Sequence, residues 1–166
     1  MTATPKNRGL RSPAIAWAAA LAGLAMAGSA TAAEIARVHE PGLQPYTIVG
    51  HEIPQPLTTT PGDAERGKKA FVTRSKGNCL ACHTAPIPEE DFHGEIGPSL
   101  VGVADRLTAS EMRLRIVDAK AILPDSMMPS FYRTAGLRQL KKDFVGKSML
   151  EPQDIEDIIA YLQTLK

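Results

Sequence analysis

The chain has 166 residues, with 19 lysines and arginines against 18 aspartates and glutamates and only 5% aromatic residues. That length makes one ordinary domain, and the near balance of charge gives no reason to expect nucleic acid as a partner. Its two cysteines lie three residues apart, a spacing at which a structural disulfide would be strained.

The N-terminus differs from the rest. Lys6, Arg8 and Arg11 precede an apolar, alanine-rich run from Pro13 to Gly28, and Ser29-Ala30-Thr31-Ala32-Ala33 follows in an A-x-A pattern. Charged, apolar and small-residue regions in that order read as a secretory signal peptide. The apolar run is shorter than the roughly 20 residues that cross a bilayer, so cleavage is expected and not anchoring. Gly9 separates Arg8 from the next basic residue, so the signal is of the Sec type and not twin-arginine. Cleavage after Ala32 or Ala33 removes Trp17, the only tryptophan, and delivers the chain to the periplasm. The expected organisation is a signal at 1–32, an arm at 33–61 and a helical domain at 62–166.

Pro41, Pro45, Pro54, Pro56 and Pro61 leave no room for a long helix in the arm. Apolar Leu43, Tyr46, Ile48, Val49, Ile53 and Leu57 make it an ordered arm that wraps a surface, with His39 and His51 as surface residues. Asp63 then fits an N-cap, and Ala64, Gly67, Ala70 and Phe71 share one helical face. Glycine in mid-helix costs roughly 1 kcal/mol against alanine, which points to a second helix backbone crossing closely at Gly67. This helix is expected to end near Ser75 to Gly77.

A polar, proline-bearing loop follows, and Thr108 with Glu111 forms a capping box for a helix that must stop before Pro124. Asp125 to Tyr132 reads as a loop, and Leu137, Leu140 and Phe144 as a short helix ending at Gly146. Pro152 suits the first position of a last helix, striped by Ile155, Ile158, Ile159, Leu162 and Leu165. No segment alternates over any length. The fold expected is all-α, three to four short helices with long loops.

The chemistry lies in Cys79-Leu80-Ala81-Cys82-His83, a C-x-x-C-H attachment signature for c-type haem. Two thiols one turn apart can reach two vinyl groups of one porphyrin, and the next residue offers an imidazole to the iron. A redox-active C-x-x-C would need a βαβ context, for which no strands are apparent. Such a small, aromatic-poor domain has a meagre core of its own, which a porphyrin would fill. His83 is expected to bind iron through Nε2, its other nitrogen held by an acceptor that fixes the ring. Pro98 is the candidate acceptor, since proline keeps its carbonyl and Gly97 lets the backbone come close. The sixth ligand is expected to be methionine, because Met–His ligation suits electron transfer. Met128 is favoured because Pro129 stiffens the backbone behind it, with Met127 second and His93 a further alternative, while Met112 and Met149 suit core positions.

Together, Cys79-Leu-Ala-Cys82-His83, Gly97-Pro98-x-Leu100-x-Gly102, a Met-Pro loop and the pairing of Gly67 and Phe71 with Ile158 and Tyr161 resemble the class I cytochrome c pattern. Pro61-Gly-Asp-Ala-Glu-Arg-Gly67, Gly94-Glu-Ile-Gly-Pro98, Arg113-Leu-Arg-Ile-Val-Asp118 and Met128-Pro-Ser-Phe-Tyr-Arg133 are similar to the SoxX branch, the monohaem subunits of SoxAX complexes. Met127 departs from the pattern, where a small or β-branched residue is more usual. The resemblance implies one haem c and a SoxA-type partner. It also implies a complex that oxidatively couples thiosulfate to a cysteine of the SoxYZ carrier (L-cysteine S-thiosulfotransferase). This chain would accept the electrons and pass them to a soluble cytochrome c, with bond formation on the partner. The arm and the loop Thr84–Glu95 are expected to help dock that partner. The alternative is a free-standing electron shuttle, which would leave the arm unexplained.

Overall fold

The structure is a computed structural model that describes residues 1–2, 34–138 and 140–166. The expected signal peptide and its cleavage site fall outside the described residues.

Helix α1, Ala64–Val72, starts as its sequence dictates. Asp63 accepts the Arg66 backbone N–H, and Glu65 lies in the first turn, where the helix dipole favours negative charge. It ends sooner than expected. Thr73 turns to extended backbone, its hydroxyl donates to the Lys69 carbonyl at 2.6 Å, and its own carbonyl accepts N–H from Lys76 and Asn78. Helix α2, Val103–Arg106, is a single turn that periodicity cannot reveal. Helix α3, Ala109–Asp118, carries both bonds of the Thr108–Glu111 capping box and runs on as a 3₁₀ turn at Ala119–Ala121. The helix expected over Leu137 to Gly146 is only a 3₁₀ turn, Lys142–Phe144. Of its apolar positions Leu140 is exposed and Leu137 and Phe144 are only half-buried, so little packing surface stabilises a longer helix. Helix α4, Pro152–Leu162, opens with proline and a capping box between Glu151 and Asp154.

Helices α1 and α4 cross backbone to backbone. A Cβ on Gly67 would lie 1.9 Å from the Asp157 carbonyl oxygen, and one on Gly62 2.2 Å from that of Glu156. Phe71 and Tyr161 meet edge to face beside the crossing, with ring centroids 5.5 Å apart. The buried Asp157 carboxylate on α4 accepts from the Asp63 N–H at 2.8 Å and from Arg66 Nε and Nη2 at 2.8 and 2.9 Å. Burial pushes Asp157 up, but Arg66, Gln153 and the Asp63 N–H outweigh it and hold the group below its usual range.

The arm carries a hairpin that the all-α expectation lacked. Strands β1, Ile35–Val38, and β2, Tyr46–Val49, pair antiparallel with Ile35 opposite Val49 and Val38 opposite Tyr46. Four residues per strand are too few to show alternation. The turn between them carries a sequence mark, Pro41-Gly42, that was read only as a bar to helix. Leu43 N–H reaches the Glu40 carbonyl at 3.1 Å and Gly42 has φ +80°, a type II turn with Pro41 at its second position. The domain is otherwise helical, as expected.

Beyond the hairpin the arm is fastened to α3 and α4. Ile53 is fully buried, and its N–H donates to the Ser110 carbonyl at 3.1 Å. Its own carbonyl accepts from Arg113 Nη1 at 2.8 Å. Arg113 is itself buried and clasps Glu156 with two bonds of 2.7 and 2.8 Å. Glu156 also accepts the Leu57 N–H at 3.0 Å, so one ion pair fixes the arm and both helices. Ile53, Phe71, Met112, Leu114, Ile155 and Ile158 meet in the core.

Candidate functional site

Asn78 takes a left-handed conformation, φ 46°, and turns the chain into the 3₁₀ segment Cys79–Ala81. The Cys79 carbonyl accepts N–H from both Cys82 and His83, at 3.1 and 2.9 Å. That tight turn puts both thiols and the imidazole on one short stretch. Both cysteines are free and partly buried. Desolvation pushes the Cys79 thiol up to about 12.

The following loop closes around the turn. Gly94 N–H donates to the Leu80 carbonyl and Gly97 N–H to that of Cys82, both at 2.7 Å, and Leu100 N–H to that of Thr84 at 2.8 Å. The Pro98 carbonyl lies 2.7 Å from His83 Nδ1. With the proton on Nδ1, the ring donates to Pro98 and leaves the Nε2 lone pair free, the form a metal-binding histidine needs. Glycine at 97 is required by the imidazole itself. A Cβ there would sit 2.4 Å from His83 Cε1. At Gly94 a Cβ would sit 2.1 Å from the Ala81 carbonyl oxygen, a requirement that sequence reading missed.

His93 is engaged elsewhere. Its Nε2 lies 3.2 and 3.1 Å from the carbonyls of Ile87 and Glu90, and its Nδ1 faces the Ala85 N–H at 3.4 Å. His39 and His51 are exposed on the arm.

The two methionines of the loop after α3 separate clearly. Met127 is 81% exposed, whereas Met128 is partly buried and packs against the hydrophobic core. Met128 N–H donates to Ser126 Oγ at 3.2 Å. Met112 is buried in the core and Met149 packs at its edge. Just after Met128, the chain is tied to α3 by Phe131 and Tyr132 N–H, each 3.2 Å from the carbonyls of Ile116 and Val117. It is tied also to the arm. Gln44 N–H donates to the Tyr132 hydroxyl at 2.9 Å, and Glu40 accepts from Arg133, Thr134 and Ala135. The sequence carries no local mark of these ties, since the partners lie about 90 residues apart.

The residues present fit a covalent haem: two free thiols three apart, and an imidazole held by one nitrogen with the other unspent. The family model for cytochrome c matches residues 64–166, and the chain belongs to the cytochrome c family. It carries one covalently attached haem c and transfers electrons. It is similar to a chain of the SoxXA crystal structure from P. pantotrophus at 35% identity and a TM-score of 0.67. That likeness covers 73% of this chain and 94% of the other. Cytochrome c-550 of Bacillus subtilis (strain 168) is 34% identical over 55 residues, a stretch that spans 33% of this chain and 42% of that protein. The family match and the SoxXA likeness together support a SoxX-type monohaem cytochrome c. Among the described residues, no helix is long and apolar enough to cross a membrane.

Proposed function

We propose that this chain is the electron-accepting subunit of a SoxAX-type complex in the periplasm, exported by the signal at 1–32. The observation that carries this reading is the likeness to SoxXA over 94% of the matched chain at 35% identity. The partner is a SoxA-type cytochrome. The complex couples thiosulfate oxidatively to a carrier cysteine of SoxYZ, and this chain passes the electrons to a soluble cytochrome c. Bond formation belongs to the partner, since Cys79 and Cys82 are the only cysteines and both are spent on attachment.

Haem, when bound, supplies a one-electron couple. Cys79 and Cys82 hold it by thioethers, and His83 offers Nε2 as the proximal ligand. The 2.7 Å contact between His83 Nδ1 and the Pro98 carbonyl supports the role of Pro98 in fixing the ring and raising its basicity. Met128 is the sixth ligand. Its partial burial against the core, beside a Met127 that points to solvent, supports the choice. A thioether favours the reduced form and raises the potential, as electron transfer requires. Docking to the partner uses the outer face of the hairpin and the loop Thr84–Glu95, where Ile35 and Phe92 are 67% and 89% exposed.

Affinity capture of the mature chain from its own periplasm tests the assignment. A co-purifying cytochrome together with thiosulfate-dependent haem reduction is the expected result. A lone chain that thiosulfate plus the periplasmic fraction leaves oxidised would identify a free-standing shuttle instead.

A further inference from the structure

We propose that Glu40 in the N-terminal arm is a positioning residue that locks the segment 130–135 and thereby holds Met128 in place as an iron ligand. The proposal rests on the reading of Met128 as the sixth ligand.

Glu40 is only 8% exposed, yet it is a carboxylate on a short surface turn. Burial pushes it up, but the N–H groups of Thr134 and Ala135 and the Arg133 side chain outweigh this and hold it ionised below the usual range. Every side-chain bond it makes goes to one place. Arg133 Nε donates to Oε1 at 3.0 Å, while Thr134 N–H, Thr134 Oγ1 and Ala135 N–H converge on Oε2 at 2.5, 3.1 and 2.9 Å. Arg133 also donates through Nη1 to Asp118 Oδ2 at 3.0 Å. Asp118 in turn accepts from Ser130 Oγ at 2.6 Å, two residues from Met128. An unbroken chain of charge-assisted bonds therefore runs from the arm to the neighbour of the ligand.

The segment needs this support. Between the 3₁₀ turns at Ala119–Ala121 and Lys142–Phe144 no helical element sets the path of the backbone among the described residues. The two bonds from Phe131 and Tyr132 to α3 fix its height along that helix. Glu40 fixes the far side, from the arm. Phe131 and Tyr132 are held further by Met149, Leu150 and Gln44, so Glu40 is the main hold of the arm on residues 133–135. Loss of that hold would let the segment shift and the methionine leave more often. The arm thus serves the haem site itself, besides any part it has in docking.

Glu40→Gln in the holoprotein keeps the size of the side chain and removes its charge. Imidazole is the probe, because it competes with methionine for the iron. The apparent affinity of the oxidised protein for imidazole is expected to rise about tenfold or more, the equivalent of one lost charge-assisted bond. The near-infrared sulfur-to-iron band is expected to weaken in parallel. Asp157→Asn, at the α1–α4 crossing, serves as the control. It lowers the unfolding temperature and leaves imidazole affinity unchanged. An unchanged affinity in E40Q, or an equal rise in both variants, overturns the proposal. Thr134→Val removes a single donor to Glu40 and keeps the test open should E40Q not fold; a smaller rise is expected, and none at all is fatal. Met128→Ala separates the two readings. If the band survives in that variant, the ligand is wrong and the proposal falls with it. If the band is lost there while E40Q binds imidazole like the wild type, only the role of Glu40 is wrong.

Discussion

The two stretches proposed to hold the iron, around His83 and around Met128, are supported in different ways. On the side of His83, every support lies within about twenty residues: the turn from Asn78, the loop bonds from Gly94, Gly97 and Leu100, and the Pro98 carbonyl. Around Met128, ties to α3 span 12 to 15 residues, and others come from an arm some ninety residues upstream. Local supports close small loops at little entropic cost and form wherever the motif is present. Distant supports exist only when the whole domain is folded. The stretch around His83 should therefore be the more autonomous and the stretch around Met128 the more sensitive to remote change.

The largest break in that contrast is expected from Arg113→Met. It strands the buried Glu156 carboxylate and frees the Ile53 carbonyl, at a cost of about 3–5 kcal/mol in denaturant unfolding. Hydrogen exchange sharpens the reading. The Gln44 and Thr134 amides should lose protection well before those of Gly94 and Gly97. Equal loss at both places would mean that the arm does not govern the stretch around Met128 separately.

A mid-sized effect is expected on the other side from Gly97→Ala. The added Cβ meets the imidazole at 2.4 Å, and loop and ring must part. Overpacking of this kind costs about 1–3 kcal/mol, read as a lower unfolding temperature. The arm amides should keep their protection.

The smallest effect at neutral pH is one that acid exposes. Glu40 has a folded value held below its unfolded one of about 4.3, so its contribution is present above that pH. It is lost as pH falls through the folded value. Below about pH 4, the Thr134 and Ala135 amides should exchange faster while the Gly94 and Gly97 amides stay protected. In Glu40→Gln this part of the acid dependence should vanish. Asp157, lowered in the same way, adds loss of the same sign at the α1–α4 crossing.

Several parts of the molecule were legible because their causes are local. Asp63, the Thr108–Glu111 box and Pro152 announce helix starts through side chains that satisfy the first N–H groups. Gly67 announced the helix crossing, since only a close backbone explains a glycine on a buried face. The hairpin was missed because four-residue strands carry no period, although Pro41-Gly42 marked its turn. The expected helix from Leu137 onward failed for the converse reason: spacing was there, but little surface to pack against, since Leu140 is exposed and Leu137 and Phe144 are only half-buried. Gly97 was read for closeness to the haem, and the structure adds that its nearest demand is the His83 ring.

By itself the sequence determined the attachment turn, the carbonyl beside His83, the helix starts and the family, because each rests on residues that act on near neighbours. The tertiary structure alone decided which methionine is shielded and that a glutamate of the arm reaches Arg133. Those outcomes depend on which surfaces meet across ninety residues of chain, and a pairing at that distance leaves no periodicity or spacing to read.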